Sequence, residues 1–331
     1  MRVGVDARAL LAGRGVARFT RGLLGALAEQ YADDTWVAFV PGRTPVAPVH
    51  PSVTLVRHRL GGRALFGAAA VARRPTLAAL VGGADVVWLP APAPVAPGAP
   101  YVLTVHDRSW ERRPHDFTAY ERVWHALARP RALAHGAAAL TTDSQAVAAE
   151  LAAAWGVRAS VVSPGVTARP APPRAGRYLL YVGANEPRKA TDVLAAAHAR
   201  ARERGLDAEL VMVGDGSTRV DDAQLAGLYA GALAVVQASY LEGFGLPPLE
   251  AAAHGTPAVV SDLPCFAETL GDAALRVPPG DADALANALL RIAGDAALRA
   301  RLGAAARDRA AAYTWERAAA ALHALLAEAA A

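Results

Sequence analysis

Tyr178-Leu179-Leu180-Tyr181-Val182-Gly183-Ala184-Asn185-Glu186-Pro187-Arg188-Lys189 begins as a short run, apolar on both faces, that closes on a glycine turn and opens near Thr191 into an alanine-rich helical stretch. Upstream, similar runs lie at Arg2 to Ala7, Thr35 to Val40, Val53 to His58, Asp85 to Leu89, Tyr101 to Val105 and Ala138 to Thr142. Downstream they lie at Ala208 to Val213, Leu233 to Ala238 and Pro257 to Ser261. Short apolar runs separated by helical stretches are what parallel strands between two helix layers look like. The spacing therefore predicts an α/β chain of two doubly wound, Rossmann-like domains. Between them, Ala168 to Arg177 carries Pro170, Pro172 and Pro173, which remove backbone donors and forbid helix. The expected division is 1–168, a linker at 169–177, a second domain at 178–312, and a C-terminal helix at 313–331 packing back across the junction through Leu322, Leu325 and Leu326. Ligands of such domains collect at the carboxyl ends of strands and in the cleft between two of them.

Composition narrows the function. With 331 residues, 53% of them hydrophobic, the chain has material for two cores. Of its 34 basic residues one alone, Lys189, is lysine, so this position stands where a compact ammonium is wanted among arginines. The net charge of +4 is scattered, without a run of five or six like charges, which argues against a nucleic-acid surface. One cysteine, Cys265, cannot make an internal disulfide, and no zinc-type spacing of cysteine and histidine occurs. A reducing, cytoplasmic setting is expected. Asp6 interrupts the opening apolar residues, and no stretch approaches the roughly 18 apolar residues that cross a bilayer.

The strongest chemical signal is Glu242-Gly243-Phe244-Gly245-Leu246-Pro247-Pro248-Leu249-Glu250, directly after a strand. Gly243 and Gly245 let backbone approach a ligand, and the two prolines suit the first turn of a following helix. A helix N-terminus attracts an anion such as a diphosphate. The carboxylates of Glu242 and Glu250 then need hydroxyl partners, as on a ribose and a hexose. The plainer alternative is a solvated Glu242 and a Glu250 that only complements the helix dipole. In Gly183-Ala184-Asn185-Glu186-Pro187-Arg188-Lys189, two cations at a helix start suit a diphosphate, each charged hydrogen bond being worth roughly 1.5–3 kcal/mol. Removing that pair is expected to cost far more rate than stability.

The nine-residue segment resembles the Glu-x7-Glu motif of the retaining glycosyltransferases of family four, which have the GT-B fold of two Rossmann-like domains facing across a cleft. The turn before Lys189 resembles that family's Gly-x-x-x-Pro-Arg-Lys turn. Gly13-Arg14-Gly15-Val16-Ala17-Arg18-Phe19 resembles its Gly-Ile-Gly-Arg-Tyr loop, with Ala17 where a second glycine is common, and His106-Asp107 resembles its Val-His-Asp strand end. The resemblance implies an N-terminal acceptor domain, a C-terminal donor domain and a hexosyltransferase using a UDP-, GDP- or ADP-linked sugar, with retention and with neither metal nor other cofactor. It implies that His106, Arg188, Lys189 and Glu242 act at the reacting sugar and phosphates. Gly15, Gly183, Gly243, Phe244, Gly245, Leu246 and Glu250 would bind the donor, and Asp107 and Arg18 would lie on the acceptor side. The acceptor would be a carbohydrate, a lipid-linked glycan or a small molecule.

Between Gly214 and Asp221 the family normally carries a further helix and strand; either that unit is deleted or a stretch is not included in this sequence, which leaves the nucleotide base open. The basic, amphipathic stretch 57–74, with Arg57, Arg59, Arg63, Arg73 and Arg74 among Leu60, Leu65, Phe66 and Val71, raises peripheral contact with the inner membrane face. Another GT-B enzyme, such as a phosphorylase or a sugar-nucleotide epimerase, is an alternative. So is a two-lobed sugar-binding protein without catalysis.

Overall fold

The computed structural model describes residues 1–11, 15–59, 61–214 and 220–331. The chain divides into two compact units, Met1–Gly165 together with Thr314–Ala331, and Val166–Tyr313.

The first unit contains β1 (Arg2–Asp6), α1 (Gly15–Gln30), β2 (Thr35–Pro41), β3 (Val53–His58), α2 (Gly62–Ala72), α3 (Leu77–Leu80), β4 (Val86–Leu89), β5 (Tyr101–Thr104), α4 (Ser109–Arg112), α5 (Ala119–Ala128), α6 (Pro130–Gly136), β6 (Ala139–Thr142), α7 (Gln145–Trp155) and β7 (Ser160–Val161). Its seven strands form a parallel sheet in the order β3-β2-β1-β4-β5-β6-β7. Successive side chains of a strand point to opposite faces, and β4 shows the result. Val86 and Trp88 enter a core with Val3, Val5 and Leu27, whereas Val87 and Leu89 enter another with Leu103, Leu151 and Trp155. Both faces are thus covered, which is why these strands read as continuous apolar runs.

The second unit contains β8 (Tyr178–Val182), α8 (Thr191–Glu203), β9 (Glu209–Val213), α9 (Asp222–Gly231), β10 (Ala234–Gln237), α10 (Leu246–Ala253), β11 (Ala258–Ser261), α11 (Pro264–Thr269), β12 (Ala274–Val277), α12 (Ala282–Gly294) and α13 (Ala296–Ala310). Its parallel sheet runs β12-β11-β10-β8-β9. Strand order reverses between β8 and β10 here, and between β1 and β4 in the first unit. At such a switch point neighbouring loops leave in opposite directions and open a crevice at the carboxyl edge of the sheet. The residues 215–219, where a shortened segment is expected, lie outside the described residues.

The last helix, α14 (Trp315–Ala330), belongs to the first unit. Leu322 and Leu326 are buried beside Val3 and Val5, and Trp315 lies so close over α1 that a Cβ on Gly22 would stand 2.5 Å from its ring. His323 stacks on Tyr31 at 3.5 Å and its Nε2 lies 2.7 Å from Asp34. Buried Leu65, Phe66 and Ala69 turn the apolar side of α2 inward, leaving Val71 exposed. Among the described residues no helix is long and apolar enough to cross a membrane.

Candidate active site

In the second unit the crevice between β8 and β10 is furnished by the loops that leave those two strands. The β8 loop is fixed by backbone: Gly183 N donates to Val213 O at 2.9 Å, and Tyr181 Oη donates to Ala184 O at 2.8 Å. A Cβ on Gly183 would stand 2.7 Å from that tyrosine oxygen, so the position requires glycine. Pro187–Lys189 forms one 3-10 turn, and Ala190, at φ +50°, reverses the chain into α8. A left-handed alanine costs roughly 1–2 kcal/mol, and such strain collects where a side chain must be aimed. Here it follows directly on Arg188 and Lys189. The backbone N–H of Tyr240 donates to Arg188 O at 2.9 Å, tying the two loops together.

Glu242 is the centre of the resulting network. Lys189 Nζ donates to its Oε1 at 2.5 Å, Ser239 Oγ donates to the same oxygen at 2.7 Å and Gln237 Nε2 at 3.1 Å. Arg188 Nη1 lies 3.8 Å from Oε2, while its Nη2 lies 2.9 Å from Glu186. Two cations and two carboxylates are therefore balanced. Burial alone would raise the Glu242 pKa, but the charges of Lys189 and Arg188, with the hydrogen bonds from Lys189 and Ser239, bring it below the usual value. It is a carboxylate at neutral pH.

The backbone after Glu242 is equally specified. Gly245 has φ +90° and caps α10, whose first turn holds Pro247. Phe244 and Leu246, expected at the donor, point elsewhere: Phe244 is buried beside Phe266 and Leu270, and Leu246 packs against the same cluster. Their side chains hold the loop, leaving its backbone to meet a ligand. Glu250, on α10, is buried and accepts a hydrogen bond of 2.7 Å from Tyr229 Oη. Thr256 Oγ1 in turn donates to Tyr229 O at 2.6 Å. Three of the four expected charged groups thus share one network, and Glu250 belongs to a neighbouring pair.

In the first unit, His106 leaves the carboxyl end of β5. Its Nδ1 is 2.7 Å from Asp143 Oδ2 and its Nε2 is 2.8 Å from Pro90 O. The carbonyl accepts only, as does Asp143 when ionised, so an imidazolium with a proton on each ring nitrogen satisfies both contacts. It stands edge-on to Phe19 at 4.8 Å. Asp107 accepts from Ser109 N at 2.8 Å and starts α4. Gly15 opens α1, where a Cβ would meet nothing within 4 Å among the described residues, and Arg18 is exposed one turn on. Gly13 and Arg14 lie outside the described residues.

Burial works to lower the His106 pKa, but Asp143, Asp107 and the Pro90 carbonyl raise it above the ordinary 6.5. A raised folded-state value contributes stability that is complete below about pH 6.5 and is lost as pH climbs through the folded value. Chemical denaturation across that window should show stability falling as pH rises, and Asp143→Asn should flatten the slope. An unchanged slope in that variant would contradict the pairing.

Sequence reasoning missed several of these groups. Asp143 lies 37 positions from His106 and Tyr229 lies 21 from Glu250. Another is Arg8, whose Nη2 donates to Ala91 O at 3.2 Å and Pro92 O at 2.8 Å, and which pairs with Asp6. Its guanidinium lies 5.7 Å from the Phe66 ring and 5.5 Å from that of Trp124. Burial lowers its pKa to about 10, still cationic. Ser239 had a local signal, three positions before Glu242.

Residues 176–295 match the family model Glycosyl transferases group 1. A phosphatidyl-myo-inositol mannosyltransferase of Mycolicibacterium smegmatis is 39% identical over 166 residues, covering 43% of each chain. An MMP alpha-(1->4)-mannosyltransferase of Mycolicibacterium hassiacum is 30% identical over 263 residues, 66% of this chain and 63% of that one. The matches thus span less than two thirds of either relative's length. Among solved structures, sucrose-phosphate synthase from Thermosynechococcus elongatus superposes with a TM-score of 0.79 at 21% identity, over 98% of this chain and 97% of that one. Anabaena HepE, in complex with UDP and glucose, gives 0.71 at 17% identity, over 99% of each chain. Both structural likenesses concern the fold, two parallel-sheet α/β domains of the GT-B type.

Proposed function

We propose, from the match of residues 176–295 to the family model Glycosyl transferases group 1 and from the GT-B fold of the two units, that the chain transfers a hexose from a nucleoside diphosphate sugar to a hydroxyl acceptor, with retention and without a metal. The observation that carries this reading is the network of Lys189, Arg188 and Glu242 at the β8–β10 switch point. When the bond between the sugar's anomeric carbon and the phosphate oxygen breaks, negative charge grows on the leaving diphosphate. Lys189 and Arg188 are already held where two cations meet that charge, and preorganised groups of this kind are worth about 2.7–4 kcal/mol each in rate. Glu242 has one oxygen crowded with donors. In this reading an incoming phosphate draws Lys189 toward itself and frees the carboxylate for sugar hydroxyls.

Glu250, oriented by Tyr229, takes the ribose hydroxyls. The two relatives described above are mannosyltransferases by name, and HepE was crystallised with UDP, which together support a hexose carried on a nucleoside diphosphate. Peripheral binding to an anionic membrane through 57–74 would be mainly electrostatic, since Val71 is the large apolar side chain of α2 that is exposed.

Thermal unfolding with UDP, GDP and ADP tests the donor. A ligand at 100 times its dissociation constant adds about 2.7 kcal/mol, and one nucleotide should raise the midpoint well above the others. Product analysis with acceptor should then give transfer that survives a chelator. Failure of all three nucleotides, or turnover that chelation abolishes, would sink the proposal.

A further inference from the structure

Arg188 and Lys189 are neighbours in the sequence and approach the same carboxylate, yet they are held on unequal terms. Lys189 Nζ lies 2.5 Å from Oε1 of Glu242, whose side chain is 8% exposed. Arg188 stands 3.8 Å from Glu242 Oε2, beyond hydrogen-bond reach, and makes its close contact, 2.9 Å, with Glu186 Oε2. The Glu186 side chain is 29% exposed. Parted from its arginine, that carboxylate regains water at little cost, whereas the buried Glu242 would be left short of solvent if its lysine departed. Arg188 is therefore the cation whose partner can be exchanged.

The turn that Glu186 begins does not account for its carboxylate. Glu186 precedes the 3-10 turn Pro187–Lys189 with extended backbone, φ −111° and ψ 142°, and its side chain makes no capping hydrogen bond there. The bonds that fix this corner come from backbone: Glu186 N donates to Ala184 O at 3.0 Å, and Glu186 O accepts from Lys189 N at 2.8 Å. Glutamine would keep both. The side-chain bond that joins the turn to α8, from Thr191 Oγ1 to Asn185 Oδ1 at 2.5 Å, also leaves Glu186 out. What the carboxylate supplies is negative charge at a guanidinium, in a loop where Glu186 and Glu242 together balance Arg188 and Lys189. Carboxylate and phosphate oxygens are alternative acceptors for the same planar guanidinium fork. Glu186 thus presents to Arg188 what a phosphate would present.

We infer that Glu186 is a specificity-determining residue of this site, an internal stand-in for phosphate that a ligand must displace from Arg188 before the arginine can bind it. The inference rests on the nucleoside diphosphate reading above. Its consequence is a charge threshold. A diphosphate outcompetes a single carboxylate and recruits Arg188, while an uncharged nucleoside leaves the pair intact. Once the diphosphate leaves, the carboxylate reclaims the arginine.

Titration calorimetry on the whole chain tests this, with UDP, GDP and ADP as ligands and uridine, guanosine and adenosine as their uncharged counterparts. For whichever diphosphate binds, Glu186→Gln should tighten binding by about tenfold or more, a difference of about 1.4 kcal/mol, and should leave its nucleoside no tighter. The melting temperature should stay at the parent's, because a partly exposed ion pair contributes little to stability. In an Arg188→Met background the same substitution should gain about twofold or less, within the scatter between uncoupled changes. Weaker diphosphate binding in Glu186→Gln would mean that the carboxylate orients Arg188 for the ligand instead of withholding it, and overturns the inference. So does an equal gain in both backgrounds, which would make the effect one of repulsion through space, or a gain shared by the nucleoside. A parent that binds none of the three diphosphates defeats the donor reading and this inference together. A parent that binds one of them, with Glu186→Gln binding it equally, defeats this inference alone.

Discussion

Lys189→Met is expected to lower turnover by about 10²-fold or more, and the structure adds a stability cost that the sequence reading did not include. The ammonium is not a solvated cation waiting for phosphate. It lies 2.5 Å from a Glu242 carboxylate whose side chain is 8% exposed. Stranding a buried charge by removing its partner costs about 3–5 kcal/mol. The cost here is reduced because Arg188, Ser239 and Gln237 stay within reach of the same carboxylate. A double variant, Lys189→Met with Glu242→Gln, separates the two effects. Removing both charges should return the melting temperature toward the parent's and leave turnover as low as in the single variant. The outcome that would defeat the assignment is a single variant with parental turnover, or a double variant that recovers activity along with stability.

The Lys189 case shows where the sequence was informative and where it was not. Strand runs, the switch from period two to helical stretches, and the loops after β8 and β10 were readable because each is a local pattern of residues within about a dozen positions. The short edge strands β7 and β12 had no such signal: β7 has two residues, and in the middle of β12 Leu275 is half-buried and Arg276 exposed. Partners across the fold were invisible for a different reason. That Asp143 faces His106, or Tyr229 faces Glu250, depends on which strands are neighbours, and a parallel sheet brings together residues many positions apart. The direction of a side chain was equally hard to read. Phe244 lies within the donor-binding motif, yet its ring is buried with Phe266, because a loop that presents backbone to a ligand must anchor its apolar side chains inward. The α2 stretch fails for the same reason, since its pattern marks an amphipathic helix without saying whether the apolar side meets a core or a membrane.

Gly245→Ala is the second large effect expected, and it arises from the backbone alone. At φ +90° any residue with a Cβ is strained, and here the Cβ would stand 2.3 Å from Phe266 Cε1. Phe266 is fully buried among Leu249, Val260 and Leu270, so its ring has no open space into which to retreat. Left-handed strain of roughly 1–2 kcal/mol and overpacking of typically 1–3 kcal/mol together put the loss at about 2–5 kcal/mol. Chemical denaturation should show that drop, and the variant should also bind its nucleotide more weakly, because relief of the clash requires the loop between Glu242 and α10 to move. Gly15→Ala is the matched control. Its Cβ would meet nothing within 4 Å among the described residues, and it begins a helix, for which alanine is a better former than glycine. If Gly245→Ala loses less than about 1 kcal/mol, below the lower end of the strain and overpacking sum, the loop yields where the structure holds it fixed. The argument that its backbone is preorganised for a donor would then fall with it.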